Sequence, residues 1–186
     1  MGNKLIFAAV AALLMAAALP AAGQNVGIAT NLADYVSYGT LNISASMASS
    51  PHWTLEAQAK YNPFTFGAPG EEDFSRRRQF SAGSRYWPWH VFSGWWLSGS
   101  LRYQEFSRTA DGSPVTTEGD RFGGSIGAGY SYMLGKHFNL DLGMGVWGGY
   151  QLYTDYSCAV CGDVLSRGAK YFFLPDEFVV ALSYIF

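Results

Sequence analysis

The stretch Arg121–Tyr153, RFGGSIGAGYSYMLGKHFNLDLGMGVWGGYQLY, limits the possible folds more than any other part of the chain. Before its turn, Phe122, Ile126, Ala128, Tyr130, Tyr132 and Leu134 recur at every second position, broken only by Gly124. After it, Phe138, Leu140, Leu142, Met144, Val146, Tyr150 and Leu152 do the same, broken only by Gly148. The positions between are small or polar, among them Gly123, Ser125, Gly127, Gly129, Ser131, Asn139, Asp141, Gly143 and Gln151; Met133 and Trp147 are the large exceptions. Strand side chains alternate sides, so this pattern predicts two strands, each with one apolar and one small-or-polar face. The tight turn at Leu134, Gly135 and Lys136 joins them as a hairpin. Runs of roughly ten residues or more are long enough to cross a membrane as tilted strands.

The same period of two runs through the rest of the chain. It predicts strands at 26–32, 39–47, 53–61, 78–86, 93–106 and 178–186, which with the hairpin make eight. Short turns follow the second, fourth and sixth strands, at Ser49–Pro51, Trp87–His90 and Leu134–Lys136. Long polar loops follow the third, fifth and seventh, at 62–77, 107–120 and 154–175. The first connection, Ala33–Ser37, is expected to be short. This asymmetry predicts an all-β, eight-stranded antiparallel transmembrane barrel of the outer-membrane type, with short periplasmic turns and long external loops.

Alternation alone does not say which face is inside, because a soluble barrel or sandwich has the same period. Three features favour the apolar face outward. The polar set mixes Gly and Ser with Glu56, Lys60, Arg85, Arg102 and Asp141, which suits a narrow lumen filled by side chains and paired charges. Aromatics fall near strand ends, with Trp53, Trp87, Trp89, Phe138 and Phe186 at one rim and Tyr38, Tyr61, Tyr103 and Tyr150 toward the other. The last strand ends on an aromatic residue, in YIF, as bacterial outer-membrane proteins do. The composition agrees: 17% aromatic, 22 Gly and only 14% charged. Residues 1–23 read as a secretory signal, with Lys4, the apolar run Leu5–Leu19, and the small Ala21 and Gly23. The domain that follows, 24–186, is the barrel, exported to the outer membrane. A formal net charge of −2 gives no basic excess, which argues against nucleic acid as a partner.

Several segments together resemble one family. They are ATNL at Ala29–Leu32, W-x-L-E-A-x-A-x-Y-N-P at Trp53–Pro63 and SRYW at Ser84–Trp87. Gly127–Tyr132, Leu134–Tyr150 and C-x-x-C-G at Cys158–Gly162 complete the set. The chain resembles the small Bacteroidota outer-membrane β-barrels catalogued as a domain of unknown function (the 3575 family), over nearly all of its mature length. The resemblance implies a surface role near fimbrial systems. It implies no catalytic residues.

The candidate chemistry is sparse. In an oxidising envelope Cys158 and Cys161 are expected to form a small local disulfide; zinc binding or redox activity is the weaker reading of one C-x-x-C. The lumenal charges Glu56, Lys60, Arg85, Arg102 and Asp141 are expected to be a structural network, with an ion path as the alternative. Arg76, Arg77 and Arg78 are expected in an external loop beside Glu71, Glu72 and Asp73. There they pair among themselves or contact lipid phosphates or partner carboxylates. His52, His90 and His137 all fall at the short turns, away from an outer-rim catalytic site. The expectation is therefore a non-enzymatic surface, adhesion or assembly protein. It needs no cofactor, and its partners are outer-membrane lipid and envelope or fimbrial assembly proteins. A lipid-modifying enzyme and a soluble periplasmic binding module are the alternatives.

Overall fold

The structure is a computed structural model and describes residues 25–37, 39–66, 73–109, 115–157 and 163–186. The signal segment, Tyr38, Glu71, Glu72 and both cysteines lie outside the described residues. The elements are β1 (Val26–Asn31), α1 (Leu32–Val36), β2 (Leu41–Ser50), β3 (Trp53–Asn62), β4 (Thr65–Phe66) and β5 (Asp73–Tyr86). They continue with β6 (Gly94–Thr109), β7 (Thr116–Met133), β8 (Phe138–Tyr156) and β9 (Val164–Ile185). Neighbouring strands pair antiparallel, β1 pairs with β9, and β3 pairs with β5 past the two-residue β4. The sheet is thus a closed barrel of eight strands, with β4 as a short addition on β5.

The side-chain alternation resolves into an inverted barrel. Leu101, Ile126, Met144 and Phe178 are 63%, 67%, 67% and 64% exposed on the outer wall. Trp96, Arg102, Trp147 and Gln151, on the opposite face of the same strands, are 2%, 3%, 0% and 2% exposed. Water-facing folds hide their apolar face, so this distribution is the reverse of a soluble barrel. Leu142 is exposed on the outer side and Val146 lines a groove there with Ile126 and Met144, while Glu56, Arg85 and Asp141 line the lumen. Trp147 points inward as its place in the alternation predicts; Met133, at the end of β7, is exposed.

The strands run farther than the apolar alternation does. Arg76, Arg77 and Arg78 belong to β5, not to a loop, and their backbones pair with Ser107, Phe106 and Glu105 of β6. Residues 107–109 and 116–120 continue β6 and β7. Most of the expected loop 154–175 is strand as well, since β8 reaches Tyr156 and β9 starts at Val164. The physical reason is that a ladder of backbone hydrogen bonds needs no apolar face. Above the apolar belt the outward side chains are free to be polar, so the strand persists while its sequence signature ends.

One irregularity also hid β9. Gly145 faces Glu177, yet Trp147 faces Leu174, so Val146 opposes both Pro175 and Asp176. This is a β-bulge, and Pro is tolerated there because it has no N–H to give the ladder. The extra residue switches the phase. Phe178, Val180, Leu182 and Tyr184 face outward below it, and Tyr171 and Phe173 face outward above it.

The short-turn end is tied together and plugged. Phe186 N–H donates to Val26 O (2.8 Å), Ile185 N–H to His137 O (2.8 Å) and Trp87 N–H to His52 O (2.9 Å). Trp87, Phe92, Trp96 and Ile185 form a buried cluster inside this end. Trp87 was expected at the outward aromatic rim; it instead turns inward, where its indole N–H donates to Thr54 Oγ1 at 3.2 Å. A buried indole needs such an acceptor, and the lumen supplies it. Gly94 has φ +78° against the face of Trp89, a position that admits no Cβ.

Candidate functional site

The lumen holds the molecule's charged cluster. β3 alternates, so Thr54, Glu56, Gln58 and Lys60 all face inward. Arg85, near the end of β5, enters from the neighbouring strand. Its Nε is 3.0 Å from Glu56 Oε1, and its Nη1 donates to Asp141 Oδ2 at 3.3 Å from across the lumen on β8. Its guanidinium carbon lies 4.2 Å from the centroid of the Trp96 ring and 5.4 Å from that of Trp87. One cation is thus bound by two carboxylates and two aromatic faces, an arrangement that keeps a charge stable away from bulk water.

Trp96 fits because the sequence clears space for it. Gly129 on β7 and Gly143 on β8 lie beneath the ring, and a Cβ at either would overlap it. Ser100 Oγ and Ser125 Oγ share a hydrogen bond of 2.7 Å, and Asn139 Nδ2 donates to Phe92 O and Ser131 Oγ. A cavity of about 80 Å³ remains, lined by Glu56, Arg85, Arg102 and Asp141 with Ser44, Ser81 and Ser98. That is room for several waters among polar partners, since about 10–15 Å³ of such space holds one.

The structure brings together four of the five charges expected in the lumen. Lys60 is inside but lies apart from them. Its Nζ is 2.8 Å from Asp34 Oδ2 and 3.0 Å from Asp34 Oδ1, with both groups nearly buried. Asp34 belongs to α1, in a segment expected to be a plain connection, so its role as a lumenal anion went unread. Arg102 approaches Trp147, with 5.9 Å between guanidinium carbon and ring centroid.

Asn31 was also missed. Its Oδ1 accepts from Ala33 N–H (3.2 Å), capping α1, and from Val180 N–H (3.0 Å). Its Nδ2 donates to Phe178 O at 2.9 Å. An Asn just before a short helix-compatible segment with an acidic residue in its first turn, Asp34, is the signal that could have found it.

At the opposite end a groove of about 620 Å³ is lined in part by Arg76, Arg77, Arg78, Glu105, Glu118 and Asp120. Alternation splits the three arginines. Arg77 turns inward and donates to Thr40 Oγ1 (2.9 Å) and Ser37 Oγ (3.3 Å). Arg78 turns outward over Tyr61, 3.9 Å from Glu105 in an exposed pair. Nearby, Tyr103 OH donates to Asp120 Oδ1 at 2.7 Å. Beyond the apolar belt, Asp155 accepts from Thr117 Oγ1 and Ser166 Oγ, each at 2.7 Å. Those hydrogen bonds, Thr117's first, hold its carboxyl below the usual aspartate value, with Lys170 and Arg108 adding to the effect.

The three histidines lie at the short-turn end. His52 Nδ1 is 2.9 Å from Trp87 O, His137 Nδ1 is 2.9 Å from Ile185 O, and His90 bridges to Ser93. Two of the rings therefore tie turns to backbone.

No curated protein and no solved structure is significantly similar to this chain. The family described as Protein of unknown function (DUF3575) matches residues 8–186. A closed eight-stranded barrel that matches that family from near its first residue to its last belongs to it: the chain is a member of the DUF3575 family.

Proposed function

We propose that the protein is a non-enzymatic outer-membrane barrel that serves as a cell-surface structural, adhesion or assembly component. The observation that carries this reading is the inverted barrel, with an apolar outer wall around a lumen packed with paired charges. Only hydrocarbon makes such a wall favourable, and closure of the strands removes the unpaired edges that hydrocarbon does not tolerate. In this reading the short-turn end, with Val26 and Phe186, faces the periplasm. The extended hairpins β3–β5, β6–β7 and β8–β9 project outward as the contact surface, carrying Arg76, Arg78, Glu118 and Asp155. Outer-membrane lipid surrounds the wall, and envelope or fimbrial assembly proteins are the partners proposed for the hairpins. The paired charges that fill the lumen support its reading as a structural core of the barrel.

Two measurements test this. A folded barrel extracted in detergent migrates differently on a gel before and after heating, and floats with vesicles; absence of both overturns the location. Exogenous protease on whole cells should cut within the hairpins and leave the short turns intact. The reverse pattern inverts the topology. For the enzyme alternative, a triple His52→Gln, His90→Gln, His137→Gln variant should not change lipid composition in the host membrane.

A further inference from the structure

One stretch of the barrel wall is not made of strand. β1 has six residues, and at the usual rise and tilt it climbs about 15 Å of an apolar band about 25 Å tall. Its partner β9 has 22 residues. The β1–β9 ladder ends at Asn31 and Ala181, and the side chain of Asn31 adds one further rung to Val180 and Phe178. Beyond that, among the described residues, no strand pairs with β9 on this side. Helix α1 fills the gap and packs on β9 and β2.

The helix is built as a plug. Leu32 and Val36 are exposed, and helical geometry places them opposite Asp34. Asp34 points into the lumen, where Lys60 holds it from the wall of β3. The bulge in β9, with Pro175 and its missing N–H, lies above the last rung on the same strand. Behind the seam lies the small polar cavity, which touches both sides of it: Asn31 and Ser44 on one, Val179 and Ala181 on the other.

We propose that this seam is a lateral port in the outer half of the wall, with α1 as its door and the Lys60–Asp34 ion pair as its latch. When the latch opens, α1 swings on Asn31 at one end and on the Ser37 and Thr40 amides, which donate to Asp34 O, at the other. The lumen then communicates sideways with the membrane. The port takes molecules dissolved in the bilayer that carry one polar end, because the chamber behind it is lined by serine hydroxyls and the Arg85 cluster. This proposal rests on the membrane location proposed above.

The test uses the full chain in lipid vesicles, with Cys158→Ser and Cys161→Ser. Ser44→Cys places a single thiol in the chamber beside the seam. Two probes are applied, a bilayer-partitioning N-alkyl maleimide and a membrane-impermeant sulfonated maleimide. Adding Asp34→Asn with Lys60→Gln should raise the alkyl reagent's rate at least tenfold and the sulfonated reagent's rate far less. Equal rates with and without the latch, in protein that floats with the vesicles, overturn the port and leave the location intact. Protein that does not float overturns the location itself. If the latch variant does not fold, the native chain gives the same answer by hydrogen exchange. The Ser37 and Thr40 amides, bonded to α1, should exchange at least a hundredfold faster than those of β7 and β8 at the same height. Protection equal to those strands sinks the proposal.

Discussion

The Arg85 guanidinium stacks 4.2 Å from the centroid of the Trp96 ring while its nitrogens reach Glu56 and Asp141. Removing the cation alone leaves two carboxylates facing each other in a nearly closed lumen. Arg85→Ala should therefore cost about 3 kcal/mol of unfolding free energy, the range for breaking a buried pair from one side. Replacing all three charges together, with Arg85→Met, Glu56→Gln and Asp141→Asn, should cost less than Arg85→Ala alone. Urea unfolding in detergent micelles, followed by tryptophan fluorescence, measures both. A triple variant weaker than the single one would show that the charges stabilise beyond their mutual neutralisation.

The ring's other face gives a second test. Gly143→Ala puts a methyl against Trp96 and close to the Ala128 carbonyl. Overpacking of this kind costs about 1–3 kcal/mol. Adding Trp96→Leu should recover part of the loss, because the clash with the ring is relieved and the one with the backbone stays. Strict additivity of the two substitutions, read in the same unfolding assay, would mean that the ring and the glycine do not interact.

Asn31 closes the ladder where β1 ends. Asn31→Ala leaves the Val180 N–H and the Phe178 carbonyl without that partner and uncaps α1. Unsatisfied buried groups cost about 1–3 kcal/mol. Exchange of the Val180 amide should accelerate by about tenfold to a hundredfold, since 1.4 kcal/mol is a factor of ten, while amides in β7 keep their rates. An equal acceleration in both places would mark global loosening instead.

The Asp155 carboxylate makes the outer hairpin sensitive to acid. Its folded pKa lies below its ordinary 3.8, chiefly through the Thr117 hydroxyl. A depressed pKa contributes stability that is fully present above the ordinary value and is lost as pH falls through the folded one. The hairpin tip should loosen only below about pH 4, and Thr117→Val should move the Asp155 midpoint upward. Carboxyl-carbon NMR titration of the protein in micelles reads this directly. A midpoint unchanged by the substitution would remove the hydroxyl as its cause.

The alternation exposed both faces of the barrel because an apolar outer wall and a packed polar lumen impose opposite demands on neighbouring residues. That is why Phe122, Ile126 and Leu142 were readable as outward, and Glu56, Arg85, Arg102 and Asp141 as inward, from the sequence alone. Nothing imposes that contrast above the apolar belt, so Arg76–Arg78 and Thr116–Asp120 looked like loop although their backbones pair. The Lys60–Asp34 pair was illegible for another reason. Its two halves lie on different elements, and the helix carrying Asp34 is only five residues long, too short for a period to show. Trp87 carried no mark distinguishing a lumenal plug from a membrane-interface residue, since indoles serve both.

The β9 bulge supports the last prediction, and there the count of residues matters more than their identity. Val146 faces Pro175 and Asp176 together, so β9 contains one residue more than a regular ladder needs. Deleting Asp176 alone should straighten the ladder and leave every pair above and below it in place, with Phe178 and Phe173 both still outward. Deleting Pro175 and Asp176 together shifts the phase by one. Tyr171 and Phe173 would then turn into the lumen, and Lys170 and Phe172 would turn out toward lipid. The single deletion should therefore refold into vesicles with heat-modifiable migration, while the double deletion should not, although it removes just one residue more. If both refold equally, the upper part of β9 slides freely along β8, and its outward aromatics do not fix the register.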